Sequence, residues 1–404
     1  MKRENTTNYK RVAKRLLIAA VILAAILVLL LILRTNSTVS EWMATNVSRE
    51  WIVFFSKISS VFPFSLYETF LYVIIIMFIA LVTTSVVLFC KRYKARATVY
   101  LLVIAIVGIS FADIYTLSAG FAYNRGEVDV PVIEEEYFTV ANEEEIIELA
   151  EFLVEDFNAV ARAVERDKDG RTISPYSHAE LSDVIAKEYE RLDDEYFSAY
   201  TPKVKAIASK NIMSHMQITG VFFAPFGEAN VNPLTPDSDM PVTMAHELAH
   251  AKGVMRESDA NLVAYYVTIT SEDEYLRYCG YKACYWYLFS VVSSFDGRES
   301  NRLYDSLDDS IKKEWELNKE FWSNYTLLDK ISDFFNDIYL KLQGQKEGSN
   351  SYNDPIIPPS VEFVPDDSGD SGDSGGTGGE AVTIYSLNFT QRMIIEALRE
   401  RMDE

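Results

Sequence analysis

His246 and His250 stand four residues apart with Glu247 between them, in the stretch Met244-Ala-His-Glu-Leu-Ala-His-Ala-Lys-Gly-Val-Met-Arg-Glu-Ser-Asp-Ala-Asn261. On a helix that spacing puts both imidazoles on one face a turn apart, as two ligands of a tetrahedral zinc ion require. Glu247 is then placed to serve as general base toward a zinc-activated water. A solvated helix has no reason to carry both imidazoles on one face, and these are two of only four histidines in the chain. A site with an open catalytic position needs a third protein ligand. Gly253 suits a left-handed residue that ends the helix and turns the chain back, so Glu257 can open the next helix and return its carboxylate to the metal. Asp259 is the competing carboxylate, but it faces away from the metal if that helix starts at Glu257. Asn261, one turn on from Glu257, can hydrogen-bond the far nitrogen of a metal-bound histidine. Pro241 suits a first-turn position, with Ser238 and Asp239 upstream as cap candidates.

These residues need elements to hold them. Helical periodicity runs from Asn142 through Phe157, from His178 to Leu192, from Pro241 to Thr270, from Glu272 to Ser293 and from Arg302 to Leu342. Between Lys203 and Val231, Ile218, Val221, Phe222 and Phe223 cluster around Gly220 and precede Pro225, which reads as one or two short strands. Gly220, Val221, Phe222, Phe223 and Ala224 form the candidate strand to pair with an extended substrate. His215 precedes it and could approach the metal; a lone histidine is more often hydrogen-bonded elsewhere, and the same holds for His178.

The chain has 404 residues and a formal charge of -21, divided very unevenly. Residues 1–119 carry thirteen Lys/Arg against five Asp/Glu, and the remainder carries 25 against 54, so the front is at +8 and the back at -29. An acidic domain repels phosphate backbones, which argues against nucleic acid as a partner. Three cysteines exclude a disulfide-stapled scaffold. Cys279 and Cys284 are five residues apart, too distant to bridge on a continuous helix, and read as free buried thiols.

Uncharged runs cover Leu16–Leu33, Thr69–Cys90 and Ala97–Ala112, the last continuing past Asp113. Each is about the length that crosses a hydrocarbon core of roughly 30 Å. Asp113 is expected at the interface, with Tyr115 and Tyr123 as belt residues nearby. The first run exceeds a usual signal-peptide core and lacks a clean cleavage site after it. Lys/Arg crowd the N-terminal tail and the loop Lys91–Arg96, but only Arg34, Arg49 and Lys57 lie between Arg34 and Glu68. By the positive-inside rule, the tail is cytoplasmic and everything after the third span extracytoplasmic. The organisation expected is a cytoplasmic tail (1–15), a membrane region (16–119, spans about 16–33, 69–90 and 97–117) and an extracytoplasmic domain (120–343). A flexible acidic linker (344–380), built around Asp366-Asp-Ser-Gly-Asp-Ser-Gly, and a C-terminal amphipathic helix (381–404) complete it.

The HELAH motif followed by Glu257-Ser-Asp-Ala-Asn261 resembles the glutamate-zincin class of metallopeptidases and departs from the metzincins, because Arg256 stands where their third histidine would be. The whole chain resembles an uncharacterised bacterial family of multi-pass membrane zinc metallopeptidases. The residues that carry this likeness are Pro63-Phe-Ser-Leu-Tyr-Glu68, Tyr123-Asn-Arg125 and Thr219-Gly-Val-Phe-Phe-Ala-Pro-Phe-Gly-Glu-Ala-Asn-Val-Asn232. The resemblance implies a mainly α fold with a small β component (α+β), three transmembrane helices and an extracytoplasmic zincin-like domain. It also implies one Zn2+ held by His246, His250 and Glu257. The expected activity is hydrolysis of peptide bonds in a protein or peptide substrate, by a protein of the bacterial cell membrane. A membrane sensor that binds peptide or metal without general proteolysis is the alternative, and an intact Glu247 favours the enzyme. The chain's oligomeric state and substrate identity are not legible.

Overall fold

The N-terminal third is built from helices whose apolar surface the described residues leave mostly uncovered. A computed structural model describes residues 2–126, 143–192, 197–198, 200–352, 360–365, 379–384 and 388–403. Helix α1 (Lys2–Leu33) packs along α5 (Lys94–Tyr115), and α4 (Leu66–Cys90) forms a hairpin with α5. Three segments, Thr7–Leu33, Leu66–Cys90 and Lys94–Gly120, are long and apolar enough to cross a membrane, and 11% or less of each apolar window is buried by protein. Such a surface is the one a bilayer would solvate. Between α1 and α4 the chain makes α2 (Ser37–Met43), one π turn and α3 (Arg49–Ser59). Asp113 sits two residues before the end of α5 and is buried, and neither of its oxygens has a hydrogen-bond partner among the described residues.

The rest of the chain is mainly helical around a small sheet. Helices α6 (Glu143–Ala163) and α7 (His178–Glu190) lead into β1 (Lys205–Ala206) and the short α8 (Lys210–His215). Then come β2 (Gly220–Phe223), β3 (Glu228–Val231), α9 (Met240–Ala251), α10 (Glu257–Ile269), α11 (Glu274–Phe295), α12 (Gly297–Asp305), α13 (Asp309–Ser323) and α14 (Asp329–Leu342). β3 is central, parallel to β1 and antiparallel to β2, with Val221 opposite Asn230; β2 is an edge strand. The core lies among α6, α9, α10 and α11, with Phe157, Tyr278, Tyr281, Met244 and Leu248 fully buried. Helix α15 (Phe389–Asp403) closes it by burying Met393, Ile394, Ala397 and Leu398.

Within the segment read as a flexible linker, the described parts are structured. A 3-10 turn at Gly348–Tyr352 packs on α14 and α10, and β4 (Ser360–Pro365) pairs antiparallel with β5 (Gly379–Ile384). The Asp337 carboxylate accepts from the Ser349 N–H at 3.3 Å, a tie between distant residues that composition cannot reveal. The Asp/Ser/Gly tract at 366–378 lies outside the described residues. The expected start of α6 at Asn142 does too.

Buried carboxylates fasten the two halves together. Ser65 caps α4 by accepting from the Glu68 N–H, and Glu228 of β3 accepts from Ser65 Oγ at 2.8 Å and from the Leu66 and Tyr67 N–H groups at 3.1 Å. Its second partner is Lys205 Nζ at 2.7 Å, in an ion pair almost wholly buried. In the other direction, Glu68 accepts from the Ala208 and Ser209 N–H groups at the start of α8. Removing one member of a buried ion pair leaves the other charged and unpaired, whereas removing both does not. Glu228→Ala should therefore lower stability by about 3–5 kcal/mol. The Lys205→Met/Glu228→Leu double variant should lose clearly less than the sum of the singles in thermal unfolding of the detergent-solubilised chain.

Cys279 and Cys284 lie on the unbroken α11, both free and buried. Burial disfavours the thiolate, which pushes Cys284 up to about 12 and Cys279 above the usual thiol range. Both thiols stay protonated from pH 7 to 9. Iodoacetamide at pH 8.5 should therefore label the exposed Cys90 alone, and all three thiols only after unfolding; mass spectrometry of the alkylated chain counts the labels.

Candidate metal centre

Pro241 starts α9, although the Asp239 side chain does not cap it; that carboxylate pairs with Lys282 and accepts from Asn318 Nδ2 instead. The helix ends at a Schellman turn, in which Val254 N–H donates to Ala249 O at 3.1 Å and Gly253 N–H to His250 O at 3.0 Å. Gly253 takes φ +104°, open to glycine and strained for other residues. Arg256 is extended, and α10 begins at Glu257.

That reversal brings three side chains to one point. Glu257 Oε2 lies 3.2 Å from His246 Nε2 and 3.5 Å from His250 Nε2, and one ligand atom from each residue falls within 4.8 Å of the others. Both imidazoles are oriented from behind. His246 Nδ1 donates to Asn261 Oδ1 at 2.8 Å, and His250 Nδ1 donates to Val254 O at 2.6 Å. With a proton on each Nδ1, each Nε2 is the atom that could coordinate a cation lodged against Glu257 Oε2, a donor set of the His/His/Glu kind that zinc sites use; without a cation, His250 Nε2 carries a proton toward that carboxylate. Asp259 turns away into a salt bridge with Arg256 at 2.6 Å.

All three groups are buried, and they set one another's protonation. Burial alone would push the Glu257 carboxyl up, but the two histidines draw it down to about 2. Burial would likewise lower His250, yet Glu257 raises it to about 9, whereas burial prevails at His246 and lowers it. At Glu247 the pull of His250 only partly offsets burial. Burial lifts its carboxyl to about 8, and its Oε2 has no hydrogen-bond partner among the described residues. Its Oε1 lies against Gly220, where a Cβ would come within 2.3 Å.

Two cavities of about 670 and 840 Å3 share Gly220, Val221, His246, Glu247, Tyr339 and Tyr352 as walls. Gly220 to Phe223 line the first along the β2 edge; Ala224 does not, because it enters a buried 3-10 turn. His215 and His178 line neither. His215 packs edge-on against Tyr325, its rings 5.2 Å apart, and its Nδ1 is buried without a partner among the described residues. The first cavity reaches Leu27 and Leu31 of α1 and Phe111 of α5, so its far wall is made by the apolar helices.

The sequence reading missed the tyrosines. Tyr123 OH and Tyr339 OH are 2.8 Å apart, and Tyr339 also meets Tyr115. Tyr115 and Tyr123 thus line the cleft. Asn261 Nδ2 donates to Tyr352 O at 2.9 Å, tying the 3-10 turn to the histidine array. Burial raises the Tyr123, Tyr339 and Tyr352 phenols, with Glu257 adding to the shift, and keeps all three protonated. Nothing local marks Tyr339 or Tyr352, which lie about ninety residues beyond the motif they complete.

A His/His/Glu cluster with a buried glutamate beside it, set against three helices able to cross a membrane, defines the class of site. The chain belongs to the family described as a protein of unknown function, DUF3810, which matches residues 44–357. No curated protein and no solved structure matches it.

Removing a group that orients a ligand imidazole typically costs 10- to 100-fold in metal affinity. Asn261→Ala should lower zinc affinity by about that factor while leaving the fold intact, as measured by competition with a chromogenic chelator.

Proposed function

We propose that this chain is a membrane-anchored zinc-dependent metallopeptidase acting on extracytoplasmic proteins or peptides. The observation that carries the reading is the convergence of His246 Nε2, His250 Nε2 and Glu257 Oε2 beside a buried glutamate with an unpartnered oxygen. His246, His250 and Glu257 would hold the ion. Bound there, zinc would act as a Lewis acid that activates water and polarises a carbonyl.

The chain's own residues supply the rest. Glu247 takes the proton from water as the water oxygen bonds to the peptide carbonyl carbon, then delivers it to the amine nitrogen as the C–N bond breaks. The outer edge of β2, at the margin of its sheet among the described residues, is where an extended substrate would pair its backbone. The protonated phenols of Tyr339 and Tyr352 are hydrogen-bond donors in the same cleft. The Lys/Arg-rich tail and the turn between α4 and α5 favour a cytoplasmic position for both, which puts the cleft outside.

The test compares the zinc-loaded chain with Glu247→Gln and Gly220→Ala on a mixture of unfolded proteins, reading new termini by mass spectrometry and zinc content by elemental analysis. Glu247→Gln removes the base, and Gly220→Ala displaces it. Both variants should keep their zinc and lose at least about a hundredfold in cleavage rate. If the parent chain cuts nothing, or Glu247→Gln cuts as fast as the parent, the peptidase reading fails.

A further inference from the structure

Helix α14 is amphipathic the wrong way round for a water-soluble domain. Ile331, Phe334, Phe335, Ile338 and Leu342 follow the i, i+3, i+4, i+7, i+11 pattern of a single stripe, and each leaves 39% to 70% of its surface exposed. Leu327, just before the helix, is more exposed still. The side turned to the protein carries the fully buried Leu340 with Ser332, Asn336, Tyr339 and Gln343, and Asn336, Tyr339 and Gln343 line the first cavity. A water-soluble domain rarely leaves such a continuous apolar stripe bare.

The position of α14 indicates what covers it. Arg34, the first residue after α1, donates from Nη1 to Gln343 Oε1 and from Nη2 to Leu342 O, both at 2.9 Å. Tyr339 meets Tyr115 at the end of α5. The last turn of α14 is thus held at the common end of two apolar helices, where their exposed surface of Leu31, Ile32, Phe111 and Ile114 stops.

The geometry points to α14 as a membrane-surface helix, its Ile331–Leu342 stripe inserted in the bilayer that α1, α4 and α5 cross. The inference rests on those three helices spanning a membrane, not on the peptidase chemistry. With Asp329, Asp333 and Asp337 against Lys330 and Lys341, the helix gains nothing from anionic headgroups. Insertion is driven by apolar burial at about 5–10 Å depth, the range of interfacial helices. Because Tyr339 and Leu342 also wall the first cavity, its mouth lies at the lipid surface, and a chain reaching Glu247 enters from the interfacial layer.

The test uses the full chain in phosphatidylcholine nanodiscs, in a Cys90→Ser background whose two other thiols are buried. A nitroxide is attached at Phe334→Cys, Ile338→Cys, Asp333→Cys or Ile22→Cys, and its accessibility to oxygen and to a water-soluble nickel chelate is measured by power saturation. Ile22, exposed in the middle of the α1 apolar run, is the span reference. Positions 22, 334 and 338 should favour oxygen several-fold over the chelate, and the exposed Asp333, on the opposite side of α14, should favour the chelate. Chelate access at 334 and 338 equal to that at 333 overturns the proposal. Shielding of 334 and 338 from both reagents also overturns it: with spin–spin broadening it means a second copy covers the stripe, and without broadening a segment of the chain itself. Chelate access at position 22 removes the span reading and the proposal with it.

Discussion

The His/His/Glu cluster depends on a backbone reversal of a few residues. With φ +104° at Gly253, α9 can stop one residue after its last ligand-bearing turn and send the chain back, so that the carboxylate opening α10 meets the imidazoles of α9. The same turn delivers the Val254 carbonyl to His250 Nδ1, so a single conformation fixes both the separation of the ligands and the tautomer of one of them. The turn is braced from outside. Arg125 lies 3.4 Å from where a Gly253 side chain would begin, and it is held by Glu41 at 2.8 Å, while Arg256 donates to Gly126 O at 3.0 Å. The residues that follow the third apolar helix therefore clamp the turn that builds the site.

The same reciprocity joins the sheet to the apolar helices. Glu228 satisfies N–H groups at the start of α4, and Glu68 of α4 satisfies N–H groups at the start of α8. Helix N-termini carry orphan donors and a positive dipole end, so carboxylates there are stabilised where burial would otherwise penalise them. Ser56 of α3 adds a hydrogen bond to Gly227 O at 2.5 Å, at the turn between β2 and β3. The edge strand beside the metal centre is thus referenced to the membrane-length helices by several short polar contacts, which limits how far the cleft can move relative to them.

What could be read from sequence was whatever is encoded within about fifteen residues. The three apolar runs, the His246/His250 spacing, the break at Gly253, and the ligand and orienting roles of Glu257 and Asn261 all follow local periodicity and turn chemistry. The structure gathers His246, His250, Glu257 and Asn261 as that logic expects, and its three apolar helices are long enough to cross a membrane. The failures are non-local. Nothing local shows that Tyr115 and Tyr123 meet Tyr339, or that Tyr352 packs against Asn261. Helix α8 was missed because six residues are too few to show a period. Gly220 belongs to the candidate strand by its neighbours, but nothing local shows that its missing side chain is what makes room for Glu247.

That last contact couples two parts of the site that are usually described apart. Gly220 is the first residue of the edge strand, and the Glu247 carboxylate rests directly on it. A polypeptide pairing with β2 would add backbone dipoles beside a carboxyl group that burial already holds near pH 8, and would displace water from the side of the cleft walled by Leu27, Leu31 and Phe111. Further desolvation raises a carboxyl pKa, whereas a cation at the His/His/Glu cluster lowers it. On the proposed peptidase reading, the proton affinity of Glu247 would be set jointly by a chain along the strand and by a cation at the cluster, the cation offsetting the desolvation that the chain imposes.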